Sequence, residues 1–373
     1  MSIEKTRIRC ERRVDSPRKS SWLSGGTTWR DQVAGQSPVF RNDSVRSIPI
    51  NDLPIHFGTV ATVPPPGGWP RWGLKPATIA PRRLASVGPE TRYYGPSMTE
   101  ATLHRAGQHI HYRTWPAAGE PIARVAVVHG FGEHGGMLNY RFLAEALARN
   151  GFEMWQADLR GHGRSDGPRG FIRSWDDYRD DLGALLDLIP NGRPLFLCGL
   201  SLGAMIVLDY ALARPNRLAG VVAAGPPLGE VGIPPWLRRL GVFVSRWAPG
   251  FAMHSRLDLG NVSRDTALAA EYRRDPLFHL RGTARFLTEL LAAAARVRNQ
   301  APEYRVPLLI LHGTADRICP LQGTYLPGAP PELAGQRTYD GARHNLFLET
   351  NRDEIFGDIV VWMTALCEKS VDV

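Results

Sequence analysis

Pro194–Ala213 reads PLFLCGLSLGAMIVLDYALA. A short apolar run gives way, at Gly199-Leu200-Ser201-Leu202-Gly203, to a helix-forming stretch, so Ser201 falls on a tight strand-to-helix turn. Such a turn forces the hydroxyl outward at the carboxyl end of the strand. The flanking glycines fit because side chains there would collide with the neighbouring strand and helix. The helix N-terminus adds a field that favours negative charge developing beside the serine. A serine that merely caps a helix is the simpler alternative, but strand, glycines and helix together favour a nucleophile.

The same alternation extends in both directions. Ala123–His129, Phe152–Ala157, residues 218–224 and residues 307–311 are short apolar runs like Pro194–Gly199. Helical patterns fall at about 138–150, 175–188, 202–213 and 352–366. Near-continuous apolar strands separated by amphipathic helices predict an α/β fold with a mostly parallel sheet covered on both faces. The alternation lapses between about 225 and 305, where a mostly helical stretch with no strand reads as a cap or lid, residues 226–304.

A serine hydroxyl needs a base to take its proton, and the base needs an orienting acid. In this topology the order is serine, acid, histidine. The loop after the late strand in PLLILHGTADRI supplies Asp316, and QRTYDGARHNLF supplies His344, the one histidine that follows it. Asp158, in DLRGHG, also follows a strand but precedes the serine, so Asp158 and Arg160 read as polar supports. The developing oxyanion requires donors. The backbone N–H of Leu202 is one, and that of Phe131, in the loop His129-Gly130-Phe131-Gly132-Glu133-His134, is the other. The spacing of His129, Glu133 and His134 matches no metal motif, and Glu133 and His134 read as stabilisers of that loop.

Composition bounds the partners. The chain has 373 residues and a formal charge of +9. Residues 1–97 hold 15 of the 45 Lys and Arg but 7 of the 36 Asp and Glu, so the basic surplus sits there and the remainder is near neutral. That argues against a nucleic-acid partner. Residues 1–97 mix Arg, Ser, Gly and Pro with little periodicity, and read either as a disordered extension or as sequence translated ahead of a true start at Met98, the second slightly favoured. Residues 98–373 form the catalytic domain. Cys10, Cys198, Cys319 and Cys367 lie far apart, as free thiols in a reducing compartment do. No membrane span or secretory leader is apparent, so a cytoplasmic location is expected, with peripheral membrane contact through the lid as an addition. Nothing in the pattern specifies an oligomer.

HGFGEH, DLRGHGRSDG, GLSLG, HGTADRI and GARHNLFLE, taken together, resemble the monoacylglycerol lipase and lysophospholipase branch of the α/β-hydrolases (serine aminopeptidase S33 type). The likeness runs from about residue 100 to the C-terminus and includes Leu257–Pro276 with its Asp275-Pro276 pair. It implies the α/β-hydrolase fold, the roles given to Ser201, Asp316, His344, Phe131 and Leu202, an ester substrate with an acyl chain, and no cofactor or metal. Within the lid, Trp236, Leu240, Phe243, Val244 and Trp247 fall on one helical stripe in Pro235–Trp247, with Arg238, Arg239 and Arg246 elsewhere. Guiding an acyl chain, touching a lipid surface and packing on the core all require that pattern. An esterase, thioesterase or peptidase-like hydrolase of a small non-lipid substrate is the alternative within enzymes. A catalytically silent binding protein is the alternative outside them, and the ordered triad argues against it.

Overall fold

The computed structural model describes residues 98–229, 235–255, 257–321 and 326–369. The expectations for residues 1–97, and for Cys10, lie outside the described residues. The chain opens with β1 (Thr99–Arg105) and β2 (Gln108–Trp115), followed by β3 (Ala123–Val128), α1 (Leu138–Arg149) and β4 (Phe152–Ala157). Then come α2 (Asp176–Leu188), β5 (Leu195–Leu200), α3 (Leu202–Ala213) and β6 (Leu218–Ala224). A long excursion carries α4 (Pro235–Trp247), β7 (Ala252–His254), α5 (Thr266–Arg274), β8 (Arg281–Thr283) and α6 (Ala284–Asn299). The chain ends with β9 (Leu308–Gly313), β10 (Ala334–Tyr339) and α7 (Arg352–Lys369).

Eight strands form one sheet in the order β1-β2-β4-β3-β5-β6-β9-β10. From β4 to β10 all neighbours are parallel, and β1 and β2 join antiparallel. Both sheet faces are covered, which is why the central strands read as unbroken apolar runs. In β5, Leu195 and Leu197 pack into the cluster that contains Met205, Val207 and Phe286. Phe196, Cys198 and Leu200 pack into the opposite cluster with Tyr140, Leu143 and Trp362. Helix α3 is buried from Leu202 through Ala211, so it runs through the interior and shows no polar face.

One expectation is corrected. The excursion is not free of strands, because β7 and β8 pair antiparallel, Ala252 opposite Thr283. Three residues each is too short for a periodic signal. The hairpin β1–β2 also went unread. It turns at Ala106-Gly107, both with positive φ, and its inward positions are few, Leu103 and Ile110. Among the described residues no helix is long and apolar enough to cross a membrane, and Cys198, Cys319 and Cys367 are free thiols.

The excursion leaves the sheet after β6 and returns to its neighbour β9, so it starts from the carboxyl edge on which Ser201 lies. The close fit at that edge comes from two glycines. A Cβ on Gly199 would lie 2.3 Å from Gly203 O, and one on Gly203 would lie 2.0 Å from Val128 O, both backbone atoms that cannot step aside. Gly203→Ala should therefore cost more than about 4 kcal/mol, or prevent folding, as read by thermal unfolding. Gly241→Ala, in α4 with open space around it, should be neutral or stabilising by about 0.5–1 kcal/mol.

Candidate active site

Ser201 has φ 55° and ψ −114°, a conformation that costs a non-glycine residue about 1–3 kcal/mol. The surroundings enforce it. Ser201 N–H donates to Ala224 O at 2.8 Å, and Met205 N–H donates to Ser201 O at 3.1 Å. The strained turn thus links β6 to the first turn of α3 and holds the side chain at the sheet edge.

His344 and Asp316 arrive from separate loops, after β10 and β9. His344 Nδ1 donates to Asp316 Oδ2 at 2.8 Å, which leaves Nε2 as the proton acceptor. The imidazole lies against Gly225, where a Cβ would come within 3.4 Å of the ring. Asp316 Oδ1 accepts from Ile318 N–H and Cys319 N–H, each at 2.8 Å. His312 Nε2 stands 3.3 Å from Asp316 Oδ2. Burial works against the Asp316 charge, but the hydrogen bonds from His312 and His344 outweigh it and hold the carboxyl well below its usual range. Cys319 neighbours Ser201, yet burial and the Asp316 charge push its thiol up, so it stays protonated and is no rival nucleophile.

Ser201 and His344 line one pocket, together with Gly130, Phe131 and Glu133. Its apolar wall includes Leu200 and Ile318 and, from the excursion, Leu257, Leu259, Val262, Phe278 and Leu280. Among the described residues the N–H groups of Phe131 and Leu202 donate no hydrogen bond within the protein. The Gly130 N–H is taken: it donates to Glu133 Oε2 at 2.7 Å and also meets the Tyr140 hydroxyl.

The remaining polar residues of the two loops are engaged with one another. His129 Nδ1 donates to Gly130 O at 2.8 Å, and its Nε2 accepts from Leu159 N–H at 2.8 Å. Glu133 accepts from Tyr140, Tyr272 and Asn345 as well as Gly130. Burial raises its pKa, against the pull of those hydrogen bonds. His134 Nε2 meets Asp275 Oδ1 at 2.9 Å. Asp158 accepts from Gly135 N–H at 2.8 Å, from Arg164 N–H at 2.9 Å and from Arg113 at 2.6 Å. Arg160 forks onto Asp181 at 2.6 and 2.5 Å. Both residues brace the loops around the pocket. His312, Tyr140, Tyr272 and Asn345 were not singled out from the sequence. In all but His312 the signal is faint, because each looks like an ordinary core or loop residue until its partner is seen.

The lid residues are placed differently from the acyl-guiding expectation. Trp236, Leu240, Phe243, Val244 and Trp247 do not line the pocket. Helix α4 packs on α6 through buried Ser245, whose Oγ meets Thr288 Oγ1 at 2.8 Å. The stripe is thereby turned outward, with Trp236 at 62%, Phe243 at 60% and Trp247 at 71% exposure, and Val244 half-buried beside the packed edge.

A strand–serine–helix turn on a mostly parallel sheet, an acid after a late strand and a histidine before the last helix define the α/β-hydrolase class. The chain belongs to the Serine aminopeptidase, S33 family, whose profile matches residues 119–351, and it is a carboxylic ester hydrolase. It is 29% identical over 266 residues to the monoacylglycerol lipase of Mycolicibacterium smegmatis, covering 69% of this chain and 94% of that one. It is 31% identical over 267 residues to the human monoglyceride lipase, covering 69% and 88%. The crystal structure of Paleococcus ferrophilus monoacylglycerol lipase superposes with a TM-score of 0.62 at 29% identity, over 73% of this chain and all of that one.

The seam between the excursion and the sheet holds a group of histidines, with ring centroids 5.3 Å apart for His129 and His162, and 4.7 Å for His162 and His279. Burial lowers the pKa of His129 and His279 to about 4, and holds that of His162 well below its ordinary value. Because the folded pKa lies below the ordinary value of about 6.5, the contribution to stability is complete above about pH 6.5 and is lost as pH falls through about 4. His279→Phe removes one of these titrating groups, so the gap in Tm between wild type and variant should shift in the variant's favour between pH 7 and pH 4.5. An unchanged gap would show that His279 does not titrate in this way.

Proposed function

We propose that the chain hydrolyses esters of fatty acyl chains, monoacylglycerols foremost and lysophospholipids next, through an acyl-enzyme on Ser201. The observation that carries the reading is that Ser201, on its strained turn, and His344, paired with Asp316, line a single pocket whose wall is largely apolar. The similar lipases from bacterium, human and archaeon support the acyl chain and the glycerol ester. Residues 98–373 act as the hydrolase unit, with 226–304 as its cap.

In this mechanism His344 Nε2 takes the Ser201 proton as the hydroxyl oxygen attacks the acyl carbonyl. Asp316 holds the imidazole in the needed tautomer and stabilises the imidazolium. The carbonyl oxygen, now negative, is received by the unengaged N–H groups of Phe131 and Leu202, each worth about 2.7–4 kcal/mol in the transition state. Collapse expels the alcohol, which takes its proton from His344. A water molecule, deprotonated by the same histidine, then attacks the acyl-enzyme and frees the fatty acid and Ser201.

Ser201→Ala should lower kcat by about 10⁴-fold or more, and a fluorophosphonate probe should label the wild type and not the variant. A wild type that resists the probe would point to a silent binding protein. Across nitrophenyl esters, activity should peak at C8–C12, with monoacylglycerol and lysophospholipid compared directly. A maximum at acetate would replace the lipid reading with a small-ester esterase.

The outward stripe on α4, with exposed Arg239 and Arg246 beside it, supports transient contact of a cytoplasmic enzyme with lipid surfaces. Trp236→Glu combined with Phe243→Glu should reduce sedimentation with anionic vesicles several-fold while leaving turnover of a soluble ester unchanged. Undiminished binding would end the membrane proposal.

A further inference from the structure

Glu133 is 2% exposed, and its two carboxylate oxygens serve different parts of the chain. Oε2 accepts from Gly130 N–H at 2.7 Å and from the Tyr140 hydroxyl of α1. Oε1 accepts from the Tyr272 hydroxyl of α5 at 2.7 Å and from the side-chain amide of Asn345, the residue after His344, at 3.1 Å. One oxygen therefore holds the loop that carries Phe131, and the other is held by the excursion and by the His344 loop. A carboxylate is planar and rigid, so a rotation that satisfies new partners at one oxygen displaces the other.

The excursion grips the same loop at further points. His279 N–H donates to Gly132 O at 3.0 Å, and a Cβ on Gly132, whose φ is +77°, would lie 1.9 Å from His279 O. His134 pairs with Asp275 at 2.9 Å, and the Phe131 ring stacks on Phe286 with centroids 5.0 Å apart. Those contacts fix where the loop lies, and the Glu133 carboxylate fixes the peptide next to Phe131.

The geometry points to Glu133 as a positioning residue that couples the seat of the cap to the oxyanion loop and the His344 loop, with Tyr272 as the cap's contact. The inference rests on the proposed role of Phe131. With α5 seated, the Tyr272 hydroxyl sets the carboxylate plane and, through Gly130, the aim of the Phe131 N–H. With α5 displaced, that donor is misdirected although the serine, histidine and aspartate are intact. An oxyanion donor acts on the transition state, so misdirecting it lowers kcat with little effect on KM. A buried carboxylate that only stabilised the fold would lower Tm without that split.

The test uses the full chain and a soluble nitrophenyl ester. Tyr272→Phe deletes one hydroxyl and keeps the ring. It should lower kcat by about 10- to 100-fold with KM within about twofold. Binding of an alkyl boronic acid, which forms a tetrahedral adduct on the serine, should weaken in proportion. Glu133→Gln should show at least the same loss, and adding Tyr272→Phe to it should cost little more, because both act through one carboxylate. Tyr272→Phe keeps the test decisive if Glu133→Gln does not fold. Wild-type kcat in Tyr272→Phe, or losses that multiply independently, would overturn the coupling while leaving the hydrolase reading intact. A wild type inert toward both ester and fluorophosphonate would overturn the two together.

Discussion

At the point where β5 turns into α3, the backbone passes so close to β3 that Gly203 has a carbonyl oxygen where its side chain would be. That crowding fixes the Ser201 backbone in a conformation it would otherwise avoid, and much else follows from it. The serine has to stand at the carboxyl edge of the sheet. The first turn of α3 has to present an unengaged N–H beside it. The histidine can reach the site only because Gly225, at the end of β6, leaves room for its ring. Steric exclusion, more than any single hydrogen bond, holds the centre together, and the hydrogen bonds adjust what it places.

Much of this was legible in the sequence, and the reason is burial. Strands β3 to β6 and β9 lie between two layers of helices, so their apolar runs are continuous and their ends sharp. Ser201 and Asp316 were legible because each sits at the end of such a strand or shortly beyond one, and His344 because it lies between the last strand and the last helix, where the fold allows few positions. The hairpin β1–β2 lies at the edge of the sheet, and half-buried His111 and buried Arg113 put polar residues where its pattern would otherwise be apolar. Tyr140, Tyr272 and Asn345 were not legible at all. Their function is to answer a buried carboxylate, and the distance between Glu133 and Tyr272 or Asn345 along the chain leaves no local trace.

Helix α4 shows a different limit. Its apolar stripe follows from spacing alone, but spacing does not say what the stripe faces. The deciding fact is which edge is fastened down: Ser245 and Thr288 anchor α4 to α6, and Arg285 donates to Ser245 O at 2.9 Å. The tryptophans are left outside, and the pocket wall falls instead to Leu257, Leu259, Val262, Phe278 and Leu280, which form no regular stripe.

Those wall residues belong to one continuous segment spliced between β6 and β9, two strands that are already neighbours in the sheet. The sheet closes whether that segment is long or short, so the wall of the pocket can diverge, or be transplanted, as a cassette without disturbing Ser201 or His344. The freedom has one condition. The Glu133 carboxylate stays buried beneath whatever covers it, and Tyr272 supplies one of its donors. A foreign cassette that brought no hydroxyl or amide to that spot would leave the buried Glu133 carboxyl short of a partner, and the recipient would lose order at the loop of Gly130 to His134. Selectivity in this molecule is portable, then, only together with a small polar key.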